Sequence, residues 1–338
     1  MFSTWEWVST WWKHFGKAKR LVILLIKEKN DILALAPFMR SKHTILRFGS
    51  FQKISFVGSH DSDYHHFILK KNDVALLKSL ITYLRDCLTW DYLELDDLPE
   101  RSVSTNLLRT ISQEETCKQW DERVCNFCPY ISLPSSMNLF MKKHIDRGLR
   151  KYLGRYWRKL EKRYCVSLKK YDELGTVNEA MDIFFQLHQK RWKSKDRSGA
   201  FNEAVYRDFH REIAKQFDEQ GWLGLYFLTL NGQPVSALYG FDYNQKVYWY
   251  QAGFDPDYAA YSVGSLIMML VIEKCIQKGL QEADLMRHAE MYKRRWTSKE
   301  RKNLQVTYSQ NGLFSRIYDF INKHNAFKNL LSANWALT

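Results

Sequence analysis

Proline is scarce in this chain, six residues in 338, and glycine, with fifteen, is sparse too. That excludes collagen-like, linker-like and most low-complexity classes. Six cysteines, at 87, 117, 125, 128, 165 and 275, are too few and too scattered for a disulfide framework in a chain of this length. The longest apolar run, residues 21–26 (LVILLI), is bounded by Arg20 and Lys27. A bilayer crossing takes about 20 apolar residues, so this run reads as a strand and no transmembrane segment is expected. Residues 1–15 (MFSTWEWVSTWWKHF) lack a charged leader, an apolar stretch and a small-residue cleavage site, so the expected compartment is the cytoplasm. Walker, GxGxxG and GxSxG motifs are all missing, which leaves NTPase, Rossmann oxidoreductase and serine hydrolase readings without support.

The chain is instead apolar, aromatic and basic. Hydrophobic types make up 45% and aromatics 15%, enough to bury large cores, and the length suits roughly two domains of about 150 residues. Of the formal net charge of +14, residues 1–133 carry +2 and residues 164–338 carry +4, whereas the thirty residues 134–163 carry +8. This segment, PSSMNLFMKKHIDRGLRKYLGRYWRKLEKR, has Ser135 and Ser136 as caps after Pro134. Leu139, Ile145, Leu149, Tyr152, Leu153, Tyr156 and Leu160 recur at helical spacing. It reads as one long basic helix and as the domain boundary: 1–133, a connecting helix 134–163, then 164–338.

In the first part, 20–27 and 32–37 read as strands joined by a turn at 28–31, 44–57 as further strand, 74–88 as an amphipathic helix, 90–95 as strand and 101–107 as loop. In the last part, 177–192 and 204–220 read as helices, and 223–230 with 234–243 as a hairpin turning at Asn231-Gly232. Residues 246–253 follow as strand, then a helix 263–278 closed by Gly279, a short buried strand 282–287 and a helix near 290–299. The order is α+β.

The junction after KVYWYQAG carries the first chemical signal. A helix beginning at Ser262-Val263-Gly264-Ser265 exposes unpaired N–H groups and partial positive charge, which suit a phosphate or pyrophosphate; an ordinary Ser-capped helix with a small packing residue is the other reading. Around it, FFQLHQKRW (184–192), NGQPVSALYGF (231–241), WYQAGFDPDYAAYSVGSLIM (249–268) and DLMRHAEMYKRRW (284–296) stand in the order and spacing of one family. Through His188, Arg191 and Trp192, Gly232, Pro234 and Ala237, the run from Gly253 to Tyr258 with Ser262 and Gly264, and Asp284, Tyr292, Lys293 and Trp296, the chain resembles the acyltransferase domain of CelD-type, cellulose-biosynthesis-associated proteins of the GNAT superfamily, relatives of the Fem-type aminoacyl transferases. Trp11, Pro37, Gly58 and Asp63-Tyr64 extend the resemblance toward the beginning of the chain. Two positions depart from the pattern: His288 stands where the family has glycine, and Val263 where it often has proline.

The resemblance implies an α+β fold of two tandem GNAT-like domains, each a mixed sheet flanked by helices, with the donor site in the second. It implies an N-acyltransferase that moves an acyl group, acetyl above all, from acyl-CoA to an amine of a small metabolite, sugar or envelope precursor, without a metal. Tyr250, Gln251 and Ala252 would supply backbone contacts to the donor, and Val263, Gly264 and Ser265 would hold its pyrophosphate. Asp284, His188 and Glu290 are the candidate proton acceptors or acceptor-orienting groups, and Arg191, Tyr292 and Lys293 would contact substrate. Asp284 could equally cap or pair with Arg287 or Lys293, and His188 could be a satisfied core histidine. Because Fem-type relatives use aminoacyl-tRNA, the basic residues 139–163 are open to three readings: a solvated face, a contact for a nucleotide tail, or a tRNA footprint. A catalytically inactive binding module is the remaining alternative. Cys125-Asn-Phe-Cys128 is a lone CxxC without a second pair, and His60, Asp61, Asp63, His65 and His66 could line a metal site.

Overall fold

The computed structural model describes residues 1–45, 49–114 and 120–310. Cys117 and the middle of the expected strand 44–57, residues 46–48, lie outside the described residues. Two compact units divide the chain: residues 127–301 with Met1, and residues 2–126 joined by those from 302 on.

Helix α1 (Trp5–Phe15) leads into β1 (Arg20–Glu28) and β2 (Asp31–Ile45), paired antiparallel through a tight turn in which Lys29 takes φ 54°. Strand β3 (Gly49–Phe56), the short β4 (Ile68–Leu69), α2 (Val74–Cys87), β5 (Tyr92–Pro99) and α3 (Val103–Glu114) follow. The helix α3 occupies the stretch expected as loop. Its start is held by Ser102, whose Oγ accepts from the Thr105 amide at 3.2 Å, and Leu107, Leu108 and Ile111 are buried at helical spacing.

Strand β6 (Trp120–Ser132) is followed by a single turn α4 (Met137–Leu139), a π-helical turn Phe140–His144 and α5 (Arg147–Glu161). The expected rod over 134–163 is therefore broken. Ile145 is extended, and the Asp146 carboxylate starts a new helix by accepting from the amides of Gly148 and Leu149 at 2.6 and 2.9 Å. Nor does the segment stand apart as a connection. Phe140, Ile145, Leu149, Leu153 and Leu160 are buried in one core with Val263, Leu266 and Ile267. Next come β7 (Val166–Lys170), α6 (Val177–Lys193), α7 (Ala204–Glu219), the hairpin β8 (Leu223–Leu230) and β9 (Gln233–Tyr243), β10 (Lys246–Phe254) and α8 (Val263–Gln277). The hairpin turns on Asn231 and Gly232, both at positive φ as a primed turn requires. Strand β11 (Glu282–Asp284) stops three residues short of expectation. The expected helix at 290–299 is one turn, α9 (Met291–Arg294), followed by an unanticipated strand, β12 (Glu300–Ser309).

The two units repeat one topology. In the first, β7, β8, β9 and β10 run antiparallel, β10 pairs parallel with β11, and β11 antiparallel with the end of β6. In the second, β1, β2 and β3 run antiparallel, β3 pairs parallel with β5, and β5 antiparallel with β12. Each parallel step is crossed by a helix, α8 or α2, and each lasts three residue pairs: 246–248 with 282–284, and 53–55 with 92–94. No helix among the described residues is long and apolar enough to cross a membrane.

Beside the β3–β5 step the second unit buries a polar cluster. Lys53 Nζ meets Glu94 at 2.5 Å, and Gln305 donates to the Asp96 carboxyl. Of the residues considered as metal ligands, Asp61 accepts from the Trp11 indole at 2.6 Å and His65 stacks on Phe56, ring centres 5.0 Å apart. His60 instead lies near Glu94 and Asp96, potential ligand atoms of all three within 4.8 Å. Cys125 Sγ approaches the carbonyl of Asn303 at 3.4 Å, and burial raises its pKa, so it is held as a thiol.

Burial, and then the neighbouring Glu94 charge, push the Asp96 carboxyl up from 3.8 to about 7. Between those values the folded chain keeps a proton that the unfolded chain releases, so the contribution of this group to stability declines as pH rises toward 7. Asp96→Asn retains an acceptor for Gln305. It is expected to raise the thermal midpoint at pH 8 while changing it little near pH 4; a pH profile of stability identical to the parent's would contradict this.

Candidate active site

Strand β10 keeps a partner on both sides only as far as Tyr248. Beyond the Tyr248–Asp284 pair it is joined to β9 alone, and its register with β9 slips between Trp249 and Gln251, leaving Tyr250 as the extra residue of a bulge. The bulge needs close backbone approach. A Cβ on Gly240 would stand 2.3 Å from the Tyr248 carbonyl oxygen. Tyr250 turns its hydroxyl to that of Tyr206, 2.9 Å away, and its ring lies against His210, centroids 5.0 Å apart. Helix α6 crosses close under the same strand: a Cβ on Gly253 would come within 2.4 Å of the His188 amide nitrogen. Only glycine permits that contact.

Strand β10 leads through a 3₁₀ turn, Pro256–Tyr261, to the start of α8. Asp255 fixes the turn, accepting from the Asp257 amide at 3.2 Å and from Lys190 Nζ at 2.5 Å. Ser262 takes left-handed backbone angles, φ 56° and ψ 37°, and makes no side-chain cap; its Oγ is hydrogen-bonded to the Tyr152 hydroxyl of α5. The amides of Ser265 and Leu266 bond back to the Ser262 carbonyl at 2.9 and 3.1 Å. Those of Val263 and Gly264 find no acceptor among the described residues. Val263 is fully enclosed, so Gly264 offers the accessible amide. An added Cβ there would meet only the Phe254 ring, at 3.5 Å. Cations frame this end of α8: Lys159 donates to the Ala260 carbonyl at 3.2 Å, Arg163 to the Tyr261 hydroxyl at 3.0 Å, and the Arg295 guanidinium lies 4.4 Å over the Tyr152 ring.

The segment after β11 has its own restraint. Asp284, 1% exposed, accepts from the Met286 amide at 2.8 Å and from Arg301 at 3.1 Å. Met286 and His288 both take positive φ, 65° and 69°, which accounts for a glycine pattern at the latter. The carbonyls so displayed converge on a buried ammonium: Lys293 Nζ donates to Arg287 O at 2.7 Å and His288 O at 2.9 Å, with the Glu290 carboxylate at 2.8 Å. Lys293 thus spends its donors inside the protein, while Glu290 remains half exposed.

Among the sequence-selected residues, Arg191 and Ala252 meet directly, the guanidinium donating to the Ala252 carbonyl at 3.1 Å. The same guanidinium lies 5.5 Å from the Phe254 ring centre and 5.9 Å from that of Tyr292. Phe254 therefore links Arg191 to Gly264. His188 is wholly buried. Its Nε2 accepts from the Trp192 indole at 2.9 Å, which places the proton of the neutral ring on Nδ1. Burial, assisted by the Arg191 charge, lowers its pKa to about 4, so the ring is uncharged at neutral pH. Reading the sequence missed Phe254, Arg295 and Arg301 as site residues, and placed Tyr152 only among the helically spaced residues of the basic segment. Only Phe254 and Arg295 carried a signal, standing inside or beside the matched stretches; Tyr152 and Arg301 are joined to the site by contacts across 110 and 17 residues.

Removing the Lys293 ammonium should strand two carbonyls and a carboxylate. Lys293→Met is expected to lower folding stability by roughly 2–4 kcal/mol in denaturant titration. Unchanged stability with weakened substrate binding would instead mark Lys293 as a group that faces the substrate.

Residues 147–294 match the acetyltransferase (GNAT) domain family. No curated protein matches the chain in sequence. Among solved structures, it resembles FemX (8% identity, TM-score 0.65, covering 95% of this chain and 94% of that one). It also resembles L-PGS from Bacillus licheniformis (9%, 0.57, 95% and 96%). A third likeness is to the C-terminal domain of a putative lysylphosphatidylglycerol synthetase from Agrobacterium fabrum (10%, 0.54, 89% and 86%). At these identities the structures speak for the fold alone; the match over residues 147–294 is to a GNAT acetyltransferase domain, and it supports an acyltransferase.

Proposed function

We propose that the chain transfers an acyl group from acyl-CoA to the amine of a small metabolite, sugar or envelope precursor, using one donor site per chain. The observation that carries this reading is a difference between the two repeats. In both, a helix follows the strand that makes the short parallel step. The start of α2 is closed by Asp73, whose carboxylate accepts from the Ala75 amide at 2.8 Å, whereas Ser262 at the start of α8 is turned away to Tyr152. A carboxylate in that place repels a phosphate; an uncapped helix start framed by Lys159, Arg163 and Arg295 attracts one.

In this reading Gly264 and the Ser265 hydroxyl receive the pyrophosphate, and the stretch Tyr250, Gln251 and Ala252, beyond the parallel pairing of β10 with β11, aligns the thioester chain. The acceptor nitrogen attacks the thioester carbon, the C–S bond breaks, and two protons move. Glu290, the half-exposed carboxylate of the three candidates, 2.8 Å from Lys293, takes the proton from the amine. Tyr292, 40% exposed beside Arg191, returns one to the leaving thiolate. Asp284 and Lys293 act as positioning residues for the segment that bears Glu290, and His188 as a neutral prop beneath β10. Correct placement of the two substrates supplies much of the acceleration.

A second reading has its own support. The face of α5 carrying Lys151, Arg155, Arg158 and Lys159 is exposed, and the helix reaches the α8 start through Tyr152. A donor with a long polyanionic body, such as an aminoacyl-tRNA, would lie along it.

Calorimetric titration separates the two. Acetyl-CoA is expected to bind with a stoichiometry near one, and Gly264→Trp, whose side chain would fill the space above Phe254, to weaken it by at least about tenfold. No binding at millimolar acetyl-CoA, together with salt-sensitive tRNA binding lost in Arg155→Glu/Arg158→Glu, would overturn the acyl-CoA reading.

A further inference from the structure

The second unit has an open sheet edge. Strand β1 is the terminal strand of its sheet, paired with β2 on one side and unpaired among the described residues on the other. Proteins usually blunt such an edge with proline, a bulge, inward charge or a covering loop. Here nothing of the kind interrupts it. The register slip between β1 and β2 drops a residue from β2, so β1 itself stays regular for nine residues. Val22, Leu24 and Ile26 turn toward the core, while Leu21, Ile23 and Leu25 stand 43%, 40% and 44% exposed on the other face. Along the strand runs a hollow of about 830 Å³, walled opposite by Ser79, Tyr83 and Cys87 of α2, with Tyr83 itself 53% exposed.

The sequence of this edge, R-L-V-I-L-L-I-K-E, is complementary to its own reverse. In an antiparallel pair of two such strands centred on Leu24, Arg20 stands opposite Glu28 at both ends, Val22 opposite Ile26 and Ile23 opposite Leu25. Leu21 meets Lys27, whose aliphatic stem can cover it. Moving the centre one residue either way leaves both charge pairs broken, and centring on Leu25 sets Ile23 against Lys27. Arg20 and Glu28 have no ion-pair partner within the described residues, and both are exposed. Charge and apolar pattern therefore select one register.

We propose that β1 is a homodimerisation edge, where a second copy of this chain adds its own β1 antiparallel about a two-fold axis at Leu24, joining two second-unit sheets into one. An isologous contact of this kind is closed, so it yields dimers and not fibres. The first unit and its donor site are not required for it.

Sedimentation velocity of the full chain from 1 to 100 µM tests this. A concentration-dependent dimer is expected. Arg20→Glu should weaken it by at least about tenfold, Arg20→Glu/Glu28→Arg should restore it, and Ile23→Lys should leave monomer. These side chains are exposed, and circular dichroism melts check that each variant folds. A chain that stays monomeric throughout overturns the proposal, as does a dimer indifferent to Ile23→Lys and to both charge changes. A monomer that co-sediments with anionic phospholipid vesicles would also overturn it and assign the apolar stripe to a lipid surface.

Discussion

Between Tyr248 and Phe254, strand β10 loses its parallel neighbour while α6 presses against it from below, and the chemistry of the first unit follows from that arrangement. A peptide group inside a protein must find a partner. A strand freed along one edge therefore offers a row of donors and acceptors to a ligand. Two close approaches hold it so. Gly253 lets the His188 backbone come nearer than any side chain would allow, and Gly240 admits the Tyr248 carbonyl at the bulge. Arg191, on the next turn of α6, then ties the Ala252 carbonyl from the side.

The parting of the strands also explains the polar structure around it. Having left β10, the chain after Asp284 has no sheet to satisfy its carbonyls, and Lys293 does so instead, with Met286 and His288 bent into left-handed conformations to present them. Such strain persists where surrounding contacts over-determine it, as sites of function often require. The second unit carries the same topology with a different filling. Its parallel step is equally short but lies at the end of β3, with only Phe56 beyond it; an aspartate closes the helix start, and a buried lysine, two carboxylates and stacked histidine and phenylalanine rings fill the adjoining space.

Much of the fold was legible in the chain because its strong signals are local. Asn231-Gly232 determines a turn, a short unbroken apolar run bounded by Arg20 and Lys27 marks β1, and the apolar spacing of 74–88 and 177–192 needs only a helical period. The failures occurred where a distant partner decides. Residues 300–309 form a strand because β5, some two hundred residues earlier, offers an edge, and 134–163 breaks because a single aspartate, Asp146, competes for the amides of Gly148 and Leu149. At the site, sequence pattern brought forward Arg191, Ala252 and Gly264, which Phe254 links in space. It could not tell that Lys293 and Asp284 are occupied internally, since their partners include backbone carbonyls, an amide and Arg301.

Amide hydrogen exchange, with and without acetyl-CoA, bears most directly on the claim that the freed edge of β10 and the open start of α8 form one donor site. Protection should appear together over 249–254 and 262–266 and be absent at the corresponding α2 start, 72–76. Exchange unchanged in both segments at saturating acetyl-CoA, or protection confined to the second unit, would contradict it.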